Sequence, residues 1–168
     1  MDGEKKKLRM TKKIRVLFVC HGNICRSPMA EFVMKHILEE QKISHIEVAS
    51  AALHTDEIGS DTHWGTKQKL REEGVAFTHR SAWLLTKEKA KDYDLIIGMD
   101  RYNMADLERV LGEEDFSSKA RMMLSFAGRD GEEVADPWYT HDFNATYRDI
   151  LEGCQALAER LRSGEAEQ

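Results

Sequence analysis

Cys20-His21-Gly22-Asn23-Ile24-Cys25-Arg26-Ser27-Pro28 stands between two stretches of different periodicity. Before it, Ile14 to Cys20 is apolar apart from Arg15 and rich in β-branched residues and Phe. After it, Met29-Ala30-Glu31-Phe32-Val33-Met34-Lys35-His36-Ile37-Leu38 repeats its apolar positions at helical spacing. The order is strand, tight loop, helix, with a thiol at the end of the strand and a guanidinium at the start of the helix.

The loop has the composition of an anion site. Ser27 followed by Pro28 reads as an N-cap and a first-turn proline, which predicts that the helix begins there. A helix N-terminus offers unpaired N–H groups and partial positive charge. Gly22 lets the backbone turn successive N–H groups into one concavity. Arg26 adds a planar fork that holds two phosphate oxygens at once. The same field stabilises a thiolate at Cys20, and a thiolate beneath a bound phosphate is a nucleophile aimed at phosphorus. A lone Cys ending a buried strand is ordinarily a small core side chain. Gly22, Arg26, Ser27 and Pro28 at these spacings favour the phosphate site instead.

Working outward, Ile43 to Ala52 alternates loosely and predicts a second strand, ending at Ser50-Ala51-Ala52. A helix is expected from about Asp61 to Glu73, stopped by Gly74. Residues 75–85 form a connection, and Thr86 caps a short helix to about Lys91. Asp94-Leu95-Ile96-Ile97-Gly98-Met99 reads as a buried third strand, and Asp100 begins a helix to about Leu111. Ala120 to Leu124 is a weaker fourth strand. The acidic loop from Gly128 to Tyr139 leads into a last helix over about 141–162. Strands alternating with helices predict a parallel sheet covered on both faces. The loop after the first strand is where such sheets bind ligands.

The 168 residues fit one domain, over 14–162, between a basic flexible extension (1–13) and a polar tail (163–168). With 41% apolar and 33% charged residues the composition is that of a well-solvated globular chain. A net charge of −5 implies no general affinity for nucleic acid or an anionic membrane. Three cysteines make no secreted disulfide framework, and no stretch approaches the ~20 apolar residues of a membrane span. No apolar segment follows the basic run of residues 1–13, so it does not read as a signal peptide. These features predict a cytoplasmic protein.

The string Val16-Leu17-Phe18-Val19-Cys20-x-Gly22-Asn23-Ile24-Cys25-Arg26-Ser27-Pro28-x-Ala30-Glu31 resembles the signature of the low-molecular-weight protein tyrosine phosphatases. That resemblance implies an α/β fold: three layers, with a doubly wound, flavodoxin-like sheet of four parallel strands. It implies hydrolysis of phosphotyrosine and small aryl phosphates through a phosphocysteine on Cys20, with Arg26 binding phosphate. The leaving oxygen must be protonated as it departs, and the Cys20 loop holds no acid for this. Asp136-Pro137-Trp138-Tyr139 matches the family's general-acid loop, so the resemblance makes Asp136 the acid, and then the base that activates water. His21, Gly22, Asn23, Ile24, Cys25, Ser27, Trp138 and Tyr139 are the implied substrate-binding residues. Asn23 and Ser50 match positions that brace the loop, and Ser27 one that stabilises the thiolate. His79 matches a structural histidine, buried and hydrogen-bonded. Cys25 either forms a disulfide with Cys20 under oxidation, as in relatives, or is a spectator thiol. No metal and no cofactor is implied. The expected partners are phosphotyrosine proteins or peptides, with inorganic phosphate or other oxyanions as ligands, and neither nucleic acid nor membrane.

Two departures bear on substrate. Relatives often place an aromatic wall of the cleft near Asp56, where this chain has an acid beside His54 and Glu57; an acid there favours a cationic flank. Trp138 replaces the commoner Tyr. Relatives that act on phosphoarginine carry Thr in place of Ile24, so Ile24 favours phosphotyrosine. One rival is an arsenate reductase of the same fold, which relays a disulfide through further cysteines; none stands between Cys25 and Cys154. Another is a non-catalytic phosphate-binding or redox-sensing module, which would have no use for Asp136.

Overall fold

The computed structural model describes residues 13–163. The expected basic extension lies outside it except for Lys13, and the polar tail except for Ser163. The strands are β1 (Ile14–Cys20), β2 (Ile46–Ala52), β3 (Leu95–Gly98) and β4 (Ala120–Met122). Between and after them come α1 (Arg26–Glu40), α2 (Trp64–Glu72), α3 (Lys87–Ala90), α4 (Arg101–Leu111) and α5 (Glu113–Lys119). A 3-10 turn (Met123–Ala127), α6 (Pro137–Thr140) and α7 (Phe143–Arg162) complete the order.

The four strands pair in parallel in the order β2-β1-β3-β4. β1 is central, and its alternating side chains feed both faces. Val16 and Phe18 enter a core shared with Met29, Val33 and Met34 of α1 and Ile150, Cys154 and Leu157 of α7. Leu17 and Val19 enter a second core with Leu107 and Leu111 of α4. Each such fully buried side chain contributes about 1.5–3 kcal/mol, so β1 anchors both layers. The result is the three-layer, doubly wound α/β fold expected. The chain leaves β1 toward β2 on one side and returns to β3 on the other, which places a crevice at the carboxyl end of β1, beside Cys20.

Several boundaries differ from the sequence reading. β2 starts at Ile46, because residues 43–45 close the turn after α1, with Ile43 N–H bonded to the Leu38 carbonyl at 2.8 Å. α2 begins at Trp64, since the side chain of Asp61 is occupied in holding the connection around Arg80. β4 ends at Met122 and gives way to the 3-10 turn. α5 has no apolar periodicity to mark it in the sequence, since none of its residues is buried, though Glu113, Glu114 and Asp115 suit a helix's first turn.

Candidate active site

The loop from β1 to α1 is organised by side chains, and its helix starts earlier than Ser27-Pro28 predicts. Cys25 occupies the N-cap position with no side-chain cap, and its carbonyl accepts from Met29 N–H at 3.2 Å. Ser27 is therefore not the cap. Its Oγ lies 3.0 Å from Cys20 Sγ, and its backbone N–H points at the same sulfur from 3.5 Å. Asn23 Nδ2 donates to Ser27 Oγ (2.8 Å) and to Ser50 Oγ (3.0 Å), and Ser50 donates to Glu31 Oε1 (2.6 Å). Because Ser27 Oγ accepts from Asn23, its own hydrogen is left to donate to the sulfur. Asn23, Ser27 and Ser50 are buried, so the network is shielded from water.

The left-handed residue of the loop is Asn23, at φ 60°, and not Gly22. Asn tolerates this region better than most residues, and here its conformation is held from outside. Arg80 Nη1 donates to the Asn23 carbonyl at 2.9 Å, and Nη2 to Asn23 Oδ1. At Gly22 a Cβ would stand 3.4 Å from Glu57 Cγ, an ordinary van der Waals distance, so neither backbone angle nor packing requires glycine there. The place expected for His79 belongs to its neighbour. His79 is exposed and pairs with Asp61, at 3.1 Å, while Arg80 turns inward to Asn23 and Glu31. Burial lowers the proton affinity of Arg80, against the pull of Glu31, Cys20 and Asp61.

Arg26 is buried and its fork is fixed by three groups. Nη1 donates to the Val134 carbonyl at 3.0 Å; Nη2 donates to Asp100 Oδ2 at 2.8 Å and to Asp136 Oδ2 at 3.3 Å. Burial works against its charge, but the negative charges of Cys20, Asp136 and Asp100 outweigh it and hold the guanidinium above its ordinary value. Asp100 is fixed in turn, since its other oxygen caps α4 by accepting from Asn103 N–H at 2.8 Å. Asp136 Oδ1 caps α6 through Trp138 N–H at 3.0 Å, which leaves Oδ2 facing Arg26. The loop carrying Asp136 is tied to the core by Val134 N–H on the Met99 carbonyl (2.9 Å) and Thr146 Oγ1 on the Ala135 carbonyl (2.8 Å).

A cleft of about 770 Å³ opens over this floor. Cys20, Arg26 and Asp136 all line it, with His21, Gly22, Ile24, Cys25, Trp138 and Tyr139 of the expected residues. Asn23, Ser27 and Ser50 support from behind, and His79 is not part of the site. Cys25 is a protonated thiol at neutral pH: burial, with the negative charges of Cys20 and Asp136 adding to it, pushes it up to about 12. Among the described residues no group of His, Cys, Asp or Glu is arranged to hold a metal ion. Nor is any helix of the described residues long and apolar enough to cross a membrane.

Asp100, Arg80 and Glu31 were not singled out by function in the sequence. A signal existed for Asp100, which directly follows the third strand and so stands at the ligand-binding end of the sheet. For Arg80 there was none, since its partner is 57 residues away.

The chain is similar to known phosphatases. Residues 15–167 match the family model described as low molecular weight phosphotyrosine protein phosphatase. YfkJ of Bacillus subtilis, a low molecular weight protein-tyrosine-phosphatase, is 36% identical over 145 residues, covering 86% of this chain and 93% of that protein. Its crystal structure matches with a TM-score of 0.85, covering 91% of this chain and 98% of that one. The corresponding phosphatase of Streptococcus pyogenes matches at 37% identity and a TM-score of 0.79, over 90% and 95% of the two chains. PtpA of Staphylococcus aureus is 32% identical over 148 residues, 88% of this chain and 94% of that protein. Fold, loop and sequence thus converge, and the chain belongs to the low molecular weight phosphotyrosine protein phosphatase family.

Proposed function

We propose that this phosphatase hydrolyses phosphotyrosine in proteins or peptides, and small aryl phosphates, through a phosphocysteine on Cys20. The observation that carries the reading is the convergence on one cleft of the Cys20 sulfur, the Arg26 guanidinium and the Asp136 carboxyl. Arg26 and the N–H groups of the loop hold the phosphate, drawing the guanidinium's free donors onto its oxygens. Cys20 Sγ, stabilised as a thiolate by the Ser27 hydroxyl and N–H, attacks phosphorus in line with the ester oxygen. Asp136, displaced from Arg26 by the phosphate, takes up a proton as substrate binds, and the P–O bond breaks as it gives that proton to the departing phenol oxygen. Asp136, now a carboxylate, takes a proton from water; the water oxygen attacks phosphorus, the S–P bond breaks and phosphate leaves. Catalysis is then largely positioning and electrostatic stabilisation by groups already fixed before substrate arrives.

Ile24 at the cleft favours phosphotyrosine over phosphoarginine. The absence of a cysteine between Cys25 and Cys154 argues against an arsenate reductase. The test is hydrolysis of p-nitrophenyl phosphate in the presence of a chelator. Cys20→Ser is expected to lose at least about 10³-fold in kcat, and Asp136→Asn about 10²-fold. Full activity in Cys20→Ser, or loss of wild-type activity on chelation, contradicts the mechanism.

A further inference from the structure

Two histidines on the rim have no part in that chemistry, yet they are among its most carefully placed side chains. The rings of His21 and His54 stack with centroids 4.0 Å apart and planes 16° from parallel. The backbone brings them together: the His21 carbonyl accepts from Leu53 N–H at 3.2 Å and from His54 N–H at 3.0 Å. Each ring edge is then anchored by its own carboxylate. His21 Nε2 lies 2.7 Å from Asp56 Oδ2, and His54 Nε2 lies 2.8 Å from Asp106 Oδ2. Asp106 is itself steadied by Arg109. Both rings line the cleft, with side-chain exposures of 56% for His21 and 39% for His54.

We propose that this stacked pair is the wall against which the substrate's aromatic ring lies, with Asp56 and Asp106 as positioning residues that fix the ring planes. The inference rests on the reading of the chain as an aryl-phosphate hydrolase. A ring whose phosphorus sits over Cys20 must leave the floor between two lips. One comes from the loops after β1 and β2 and carries His21, directly after the nucleophile, and His54. The other comes from the segment after β4 and carries Trp138, which is 61% exposed. With their nitrogen edges bound to carboxylates and their inner faces stacked on each other, the imidazoles have only the outer face of the pair to offer, the geometry that stacks on a phenyl ring. Asp56 thus does not remove the aromatic wall; it holds a wall built from other residues. A phosphoserine side chain, short and without a ring, gains nothing from it.

The test compares KM for p-nitrophenyl phosphate and for a phosphotyrosine peptide with the inhibition constant of inorganic phosphate, which reports on the loop alone. In His54→Ala both KM values are expected to rise about 3- to 10-fold, more than the phosphate constant, with the effect on KM rather than kcat. His54→Phe, which keeps a flat face, is expected to recover most of the loss. Asp56→Ala should raise KM more than Asp56→Asn, whose amide oxygen still accepts from His21. Unchanged KM in His54→Ala, a parallel rise in the phosphate constant, or no recovery with Phe overturns the proposal. Turnover of p-nitrophenyl phosphate with none of the peptide overturns the phosphotyrosine reading instead, and leaves the wall to be judged on the small substrate.

Discussion

The floor of the cleft and its rim are built on opposite terms. On the floor, Asn23, Arg26, Ser27 and Ser50 are buried, and each is held by a partner that is itself held. On the rim, His21, Asp56, Trp138 and Tyr139 are exposed, and the two imidazoles are ordered by one stack and two carboxylates. A buried network cannot lose a member cheaply, because a stranded charge or donor stays out of water. An exposed pair can change partners at small cost. We therefore expect the chemistry to depend on the buried floor and selectivity to be set on the exposed rim.

That contrast can be tested by substitution, with effects that should shrink from floor to rim. Arg26→Lys keeps the charge but loses the fork that spans Val134, Asp100 and the phosphate; kcat/KM should fall about 10²- to 10³-fold. A loss below tenfold, measured with p-nitrophenyl phosphate, would break the account of the floor. Arg80→Met leaves the Asn23 carbonyl and side-chain oxygen without their guanidinium donors, while Glu31 keeps Lys35 at 2.6 Å. The substitution should cost about 2 kcal/mol in thermal or urea unfolding and about tenfold in kcat/KM, with more of the loss in kcat. An equal loss of stability with kcat intact would make Arg80 a fold residue only. The smallest effect belongs to the charges of the rim. Phosphotyrosine peptides with a neighbouring Lys or Arg should be preferred over those with Glu by about 2- to 5-fold in kcat/KM, and the preference should fade at high salt. It should also fall in Asp56→Asn/Glu57→Gln; a preference untouched by salt or by that pair would place selectivity elsewhere.

The same divide governed what could be read from the sequence. The strand, loop and first helix were legible because the periodicity on either side of the loop, with Pro28 and the charge of Arg26, is a local signal. Cys20 and Arg26 followed from that stretch alone, whereas Asp136 stood out among 30 acidic residues only through a family resemblance. Arg80 stayed hidden because its bonds to the loop span 57 residues, and the place of Asp100 after β3 marked its end of the sheet but not its bond to Arg26, 74 residues away, which exists only once the sheet is ordered β2-β1-β3-β4. The exchange of His79 for Arg80 has a similar origin: a shift of one position reverses which side chain faces inward, and composition does not record it. Ser27 shows the converse. Its residue type was informative, but the hydroxyl serves the sulfur of Cys20 and not the helix end. The stacking of His21 on His54, 33 residues apart, left no local trace at all.

The central claim is that the sulfur of Cys20 carries the phosphoryl group between substrate and water. It is tested most directly by acid-quenching Asp136→Asn during turnover of p-nitrophenyl phosphate and locating phosphate by peptide mass spectrometry. Nitrophenolate leaves readily without a proton, so the variant should still form the intermediate and be slow to hydrolyse it. A phosphoryl group on the peptide containing Cys20, fragmenting to that residue and absent in Cys20→Ser, is the result the account predicts. Phosphate on His21 instead, or turnover with no covalent species while substrate is consumed, would contradict it.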